Sequence, residues 1–123
     1  MPSTVFELVG GQAGMDSLVN SFYTRVEHDP VLRPLYPADL GDSRRHLALF
    51  LAQYFGGPTT YSDERGHPRL RMRHAHVQIG LAERDAWFAA MAAALDDVAV
   101  VEPARSAMLE YFSGSADWMI NHK

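Results

Sequence analysis

The stretch from Gly56 to His76, GGPTTYSDERGHPRLRMRHAH, most constrains what this chain can become. Its first half is filled with Gly, Pro, Asp and Thr, residues that supply turns rather than regular structure. It lies between two segments of strong helical periodicity, so two helical halves must pack across it. A long connection in a small domain is uncommon and tends to be functional. This one ends on His74 among arginines and apolar residues. The expectation is that an extended loop delivers His74 into a pocket between helices.

The flanking segments read as follows. Thr4 and Glu7 have capping-box spacing, so a short helix starts at Thr4 and stops at Gly10-Gly11. Met15, Leu18, Val19, Phe22, Tyr23 and Val26 follow helical spacing from about Ala13 to His28. Pro30, Pro34 and Pro37 then make a tight corner with at most one helical turn. Asp42 or Ser43 is expected to cap a helix running to about Phe55, with Leu47, Phe50, Leu51, Tyr54 and Phe55 on one face. After the long loop, Arg71 to Ile79 reads as a short helix around His74. Leu81 to Asp97 reads as a long helix with Trp87, Phe88, Met91 and Leu95 inward. Pro103 suits the first turn of a last helix to about Ile120, striped by Met108, Tyr111, Phe112, Ala116 and Met119. No run reads as a strand. The fold class is all-α, one domain over residues 1–123, with four principal helices.

Composition narrows the functions. Of 123 residues, 47% are apolar and 21% charged, which suits a packed core and not a disordered chain. A net charge of -4 argues against a nucleic-acid surface. The absence of cysteine excludes disulfides, thiolate metal sites and cysteine nucleophiles. The start, MPSTVFELVGG, lacks the basic and apolar runs of a secretory signal, and no segment has the apolar length of a bilayer span, so a cytoplasmic protein is expected. The apolar content of the last helix (Met108, Phe112, Met119) makes a homodimer plausible.

Between the helices the sequence assembles Tyr23, Tyr36, Ser43, Leu47, Phe50, Leu51, Phe55, Trp87 and Met91, with His74 entering from the loop. This is an apolar pocket with one imidazole and three hydrogen-bonding aromatics. It has no nucleophile with a paired base, no carboxylate pair and no phosphate-binding glycine loop. His67, His74 and His76 invite a zinc reading, but two histidines two residues apart on a helix point to different sides. On periodicity alone, His74 reads as a core histidine donating to a carbonyl.

Four stretches together carry a resemblance: VGGQAGMDSLVNSFYTRV, DPVLRPLYPADL, FLAQYFGGPTTYSDERGHPRLRMRHAH and ERDAWFAAM. In this order and spacing the chain resembles the truncated haemoglobins, and within them the second group, the HbO-type. The resemblance implies a two-over-two helical sandwich holding haem b. It implies that His74 is the proximal iron ligand and that Tyr23, Tyr36 and Trp87 are the distal residues. The Gly pairs 10/11 and 56/57 match the family's glycine motifs. Ser43 falls at a distal position where relatives carry Ala, Ser, Thr or His, and His76 falls where close relatives have Pro. The implied cofactor contacts also take in His46, Leu47, Phe50, Leu51, Phe55, Leu70, Arg73, His76 and Met91. His46 and Arg73 are candidates for the haem propionates by charge and placement, and a solvated helix face explains them equally well.

The implied function is binding of O2, NO or CO at a pentacoordinate iron. Three donors around the ligand suit tight oxygen retention or chemistry on oxygen and nitric oxide. The rival readings are a haem enzyme, a nitric oxide dioxygenase or peroxidase with an external reductase, and a haem-free helical interaction module.

Overall fold

The computed structural model describes residues 3–122, and among them every regular element is helical. In chain order the helices are α1 (Val5–Leu8), α2 (Gly11–His28), α3 (Gly41–Tyr54), α4 (Thr60–Arg65), α5 (Leu70–Arg73), α6 (Leu81–Asp97) and α7 (Ala104–Met119), with one 3-10 turn at Arg33–Leu35. Helix α2 packs on both α3 and α6, and α6 packs on α7. This is the two-on-two arrangement of four long helices.

The reading of α2 holds residue by residue. Met15, Leu18, Val19, Phe22, Tyr23 and Val26 are all buried. Each contributes roughly 1.5–3 kcal/mol by leaving water, which makes α2 the spine of the core. Helix α1 starts as its capping box requires. The Thr4 hydroxyl oxygen accepts from the Glu7 amide at 3.1 Å, and the Glu7 carboxylate accepts from the Thr4 amide at 3.3 Å. The Phe6 amide then donates to the Phe55 carbonyl at 2.9 Å, tying α1 to the end of α3.

Four expectations are corrected. The first concerns the start of α3. Neither Asp42 nor Ser43 caps it, because the helix already begins at Gly41. No side chain caps it; one residue ahead of its N-cap, the Asp39 carboxylate accepts from the Gly41 amide at 2.8 Å. The corner ahead is fixed by Arg33, whose guanidinium donates to the carbonyls of Tyr36, Pro37 and Ala38. Those bonds set where the chain can turn into the helix.

The second concerns the loop, which is not extended. It contains α4 and α5. Gln53 holds α4 against α3 through two bonds, accepting from the Ser62 amide at 2.9 Å and donating to the Ser62 hydroxyl at 2.7 Å. Tyr61 is buried as a result. The third concerns the helix around His74, which spans Leu70–Arg73 and stops before the histidine. Asn121 stops it. Its side chain donates to the Val77 carbonyl at 2.9 Å and accepts from the Ile79 amide at 2.8 Å, drawing 77–79 off the helical path.

The fourth concerns Tyr54, which is 55% exposed rather than inward. The apolar stripe of α7 is also absorbed within the chain. Met108 and Phe112 are fully buried and Met119 lines a cavity.

Two glycines give opposite expectations. A Cβ on Gly57 would lie 2.6 Å from the Phe6 ring and 2.8 Å from the Ala52 carbonyl oxygen. Gly114 lies inside α7 with nothing within 4 Å of such a Cβ. In denaturant titrations Gly57→Ala should lose roughly 1–3 kcal/mol through overpacking. Gly114→Ala should gain about 0.5–1 kcal/mol by removing backbone freedom from the unfolded chain.

Candidate functional site

A cavity of about 340 Å³ lies between α3, the α4–α5 segment, α6 and α7. Of the residues expected to meet a cofactor, Tyr23, Tyr36, Ser43, His46, Leu47, Phe50, Leu51, Leu70, Arg73, His74, His76 and Trp87 line it. Phe55 and Met91 do not. Phe55 is buried against the Tyr111 and Phe112 rings, and Met91 is fully buried in the core.

His74 follows directly on the last turn of α5. Its amide bonds the Leu70 carbonyl at 3.1 Å, and its Nδ1 lies 2.7 Å from the same oxygen. A carbonyl only accepts, so Nδ1 carries the proton and donates. In a neutral imidazole that leaves Nε2 with a free lone pair. His74 therefore offers the cavity one uncommitted nitrogen on a ring whose orientation is already fixed. This is the arrangement that a metal-ligating histidine requires.

Elsewhere on the cavity wall four polar side chains converge. The Phe22 ring packs edge-on to both Tyr23 and Trp87, at 5.0 and 5.6 Å, and Tyr23 packs edge-on to Tyr36 at 5.5 Å. Ser43 donates toward the Tyr23 oxygen, while Tyr23 and Trp87 donate toward that of Tyr36. Burial, and then the neighbouring Tyr36, raise the Tyr23 pKa well above the ordinary phenol value. Burial pushes Tyr36 up to about 12. Both phenols therefore keep their protons at any physiological pH and act as donors.

A cationic edge completes the cavity. Arg65 donates to His46 Nε2 at 3.0 Å, and its own Nε is buried without a partner. Arg73 is stapled in place, donating to the carbonyls of Pro68 at 2.8 Å and Arg65 at 3.2 Å. An orphaned guanidinium N–H at the rim of an apolar cavity suits an anionic group carried by an apolar ligand.

Sequence reasoning missed Arg65, Tyr61, Glu83 and Arg84, together with the α7 face made by Tyr111, Phe112, Ser115, Ala116 and Met119. The α7 periodicity was visible but read as core. It is core on one flank and cavity wall on the other. Arg65 had no local signal, because its place depends on how α4 folds against α3.

His46 gives a pH prediction. Burial, and then the nearby Arg65 cation, lower its pKa from the ordinary 6.5. As the pH falls, the unfolded chain binds this proton first, so His46 contributes stability above about pH 6.5 that is lost below it. Denaturation midpoints should therefore drop between pH 7.5 and 5.5. His46→Gln, which keeps an acceptor for Arg65, should make that drop smaller.

Comparison with known proteins agrees with this geometry. The family profile described as bacterial-like globin matches residues 4–121. The group 2 truncated hemoglobin YjbI of Bacillus subtilis is 37% identical over 116 residues, covering 94% of this chain and 87% of that one. The crystal structure of the hemoglobin of the thermophilic phototroph Chloroflexus aurantiacus superposes with a TM-score of 0.96 at 55% identity, covering 98% of this chain and 100% of that one. The truncated oxygen-avid haemoglobin of Bacillus subtilis gives a TM-score of 0.92 at 36% identity, covering 97% of this chain and 100% of that one. With the profile matching nearly the whole chain and relatives similar over almost their full length, the chain belongs to the bacterial-like globin family, among the group II truncated haemoglobins.

Proposed function

We propose that residues 1–123 form one truncated globin domain that holds haem b, with His74 Nε2 as the only protein ligand of a pentacoordinate iron. The observation that carries this reading is the Nδ1 bond to the Leu70 carbonyl, which leaves Nε2 free beside the cavity. The residues present fit the group. Leu47, Phe50, Leu51 and Leu70 supply apolar walls, and the buried, unpartnered Nε of Arg65 suits a propionate. Bound haem supplies a reversible site for O2, NO or CO and a one-electron redox centre.

The residues of the chain determine how such a ligand is treated. Tyr23, Tyr36 and Trp87 each present a donor, and burial keeps both phenols protonated. Leu51 and Phe112, both nearly or fully buried, are apolar walls of the cavity. Donors in a dry pocket hold a polarised ligand more tightly than donors in water do. Retention of oxygen, rather than rapid delivery, follows. The Bacillus subtilis relative is described as oxygen-avid, which supports the same reading. Turnover on nitric oxide or peroxide would draw electrons from outside the chain, such as from a reductase, since haem alone supplies no lasting source of them.

Stopped-flow release of oxygen tests this reading. Each lost donor removes about 1 kcal/mol, so Trp87→Phe and Tyr23→Phe should each speed release roughly 5-fold. Release from the wild type as fast as from either variant would contradict it.

A further inference from the structure

Tyr54 stands on the outer surface at the end of α3, 55% exposed, with its ring 3.9 Å from that of Tyr111 and tilted by 33°. Tyr111 is a wall of the cavity, and its neighbour Phe112 is another. The rings of Trp87, Phe112 and Tyr111 follow one another at 5.7 and 5.8 Å. A continuous run of aromatic contacts therefore leads from the cavity to solvent and ends on a phenol. Ligand retention uses neither Tyr54 nor the stacking of Tyr111 upon it.

We propose that Tyr54 is a surface oxidation site, linked to the cavity through Tyr111, at which small phenolic donors give up single electrons when hydrogen peroxide reacts inside. The proposal rests on the haem reading above. The balance is as follows. Hydrogen peroxide takes two electrons and two protons and leaves as two molecules of water. Each electron is drawn through Tyr111 from Tyr54, whose phenolic proton passes to solvent, leaving a neutral phenoxyl radical. A phenol at the surface returns one electron and one proton to Tyr54 and becomes a phenoxyl radical itself. Two phenols are thus oxidised per peroxide.

Tyr54 is singled out from the five tyrosines of the chain by its exposure. Oxidation of a phenol must release a proton, and water must be there to take it. Tyr23 and Tyr61 are buried, at 3% and 4% exposure. Burial raises the pKa of Tyr36 and Tyr111, which opposes loss of their protons. Tyr111 suits a relay, with a ring on the path and a hydroxyl held by Ser115. Trp118 is the other exposed large aromatic, but it stacks on no ring among the described residues. The Arg71 guanidinium lies 5.3 Å from its ring centroid, and that positive charge disfavours loss of an electron.

The test uses the haem-loaded protein, one equivalent of hydrogen peroxide and no added donor. Surface phenoxyl radicals on two molecules should then couple into a dityrosine-linked dimer, read by fluorescence and by peptide mass at Tyr54. Freeze-quenched electron paramagnetic resonance should show a tyrosyl signal that narrows with ring-deuterated tyrosine. Tyr54→Phe should lower the cross-link at least 10-fold while leaving haem content and oxygen release unchanged, and Trp118→Phe should keep it. An undiminished cross-link in Tyr54→Phe, or oxidation found at Trp118, overturns the proposal. A protein that binds haem and oxygen normally yet yields no Tyr54 radical overturns this proposal alone. A protein that takes up no haem overturns it together with the haem reading.

Discussion

The site depends on one hydrogen bond, from His74 Nδ1 to the Leu70 carbonyl at 2.7 Å. It fixes the tautomer, the ring plane and the nitrogen left for the cavity. The bond exists because α5 is a single turn that ends at His74, so the carbonyl four residues back lies beneath the imidazole. The geometry of α5 is imposed by its surroundings. Arg73 clamps the chain before it through the Pro68 and Arg65 carbonyls, and Asn121 clamps the chain after it. The end of the chain thus helps to set the angle of a histidine in its middle.

The same burial has a second effect across the cavity. It raises the pKa of Tyr23 and Tyr36, so both remain donors. Ser43 and Trp87 orient them.

Much of this was legible in the sequence. The six apolar positions of α2 are buried as the period of 3.6 requires, and the Thr4–Glu7 box starts α1. Tyr23, Tyr36, Trp87 and His74 do meet around one cavity. Several misses turn on side-chain bonds that helical periodicity does not register. Helix α3 begins at Gly41 without a side-chain cap, ahead of both Asp42 and Ser43. Helix α4 forms within an apparent loop because Gln53 holds Ser62. The expected helix over 71–79 ends early because Asn121 reaches back to it. Phe55 and Met91 share a helical face with cavity residues yet pack one layer too deep. Periodicity identifies the inward side of a helix, not which inward residues border an opening.

In the proposed reading His74, held by Leu70, is the ligand around which the site is built. Haem titration of the apoprotein, with the ferrous spectrum recorded for wild type, for His74→Gly, and for His74→Gly with added imidazole, tests it most directly. One haem per wild-type chain is expected, with loss of the stable ferrous complex in the variant and its return with imidazole. An unchanged ferrous spectrum in His74→Gly without imidazole would contradict it.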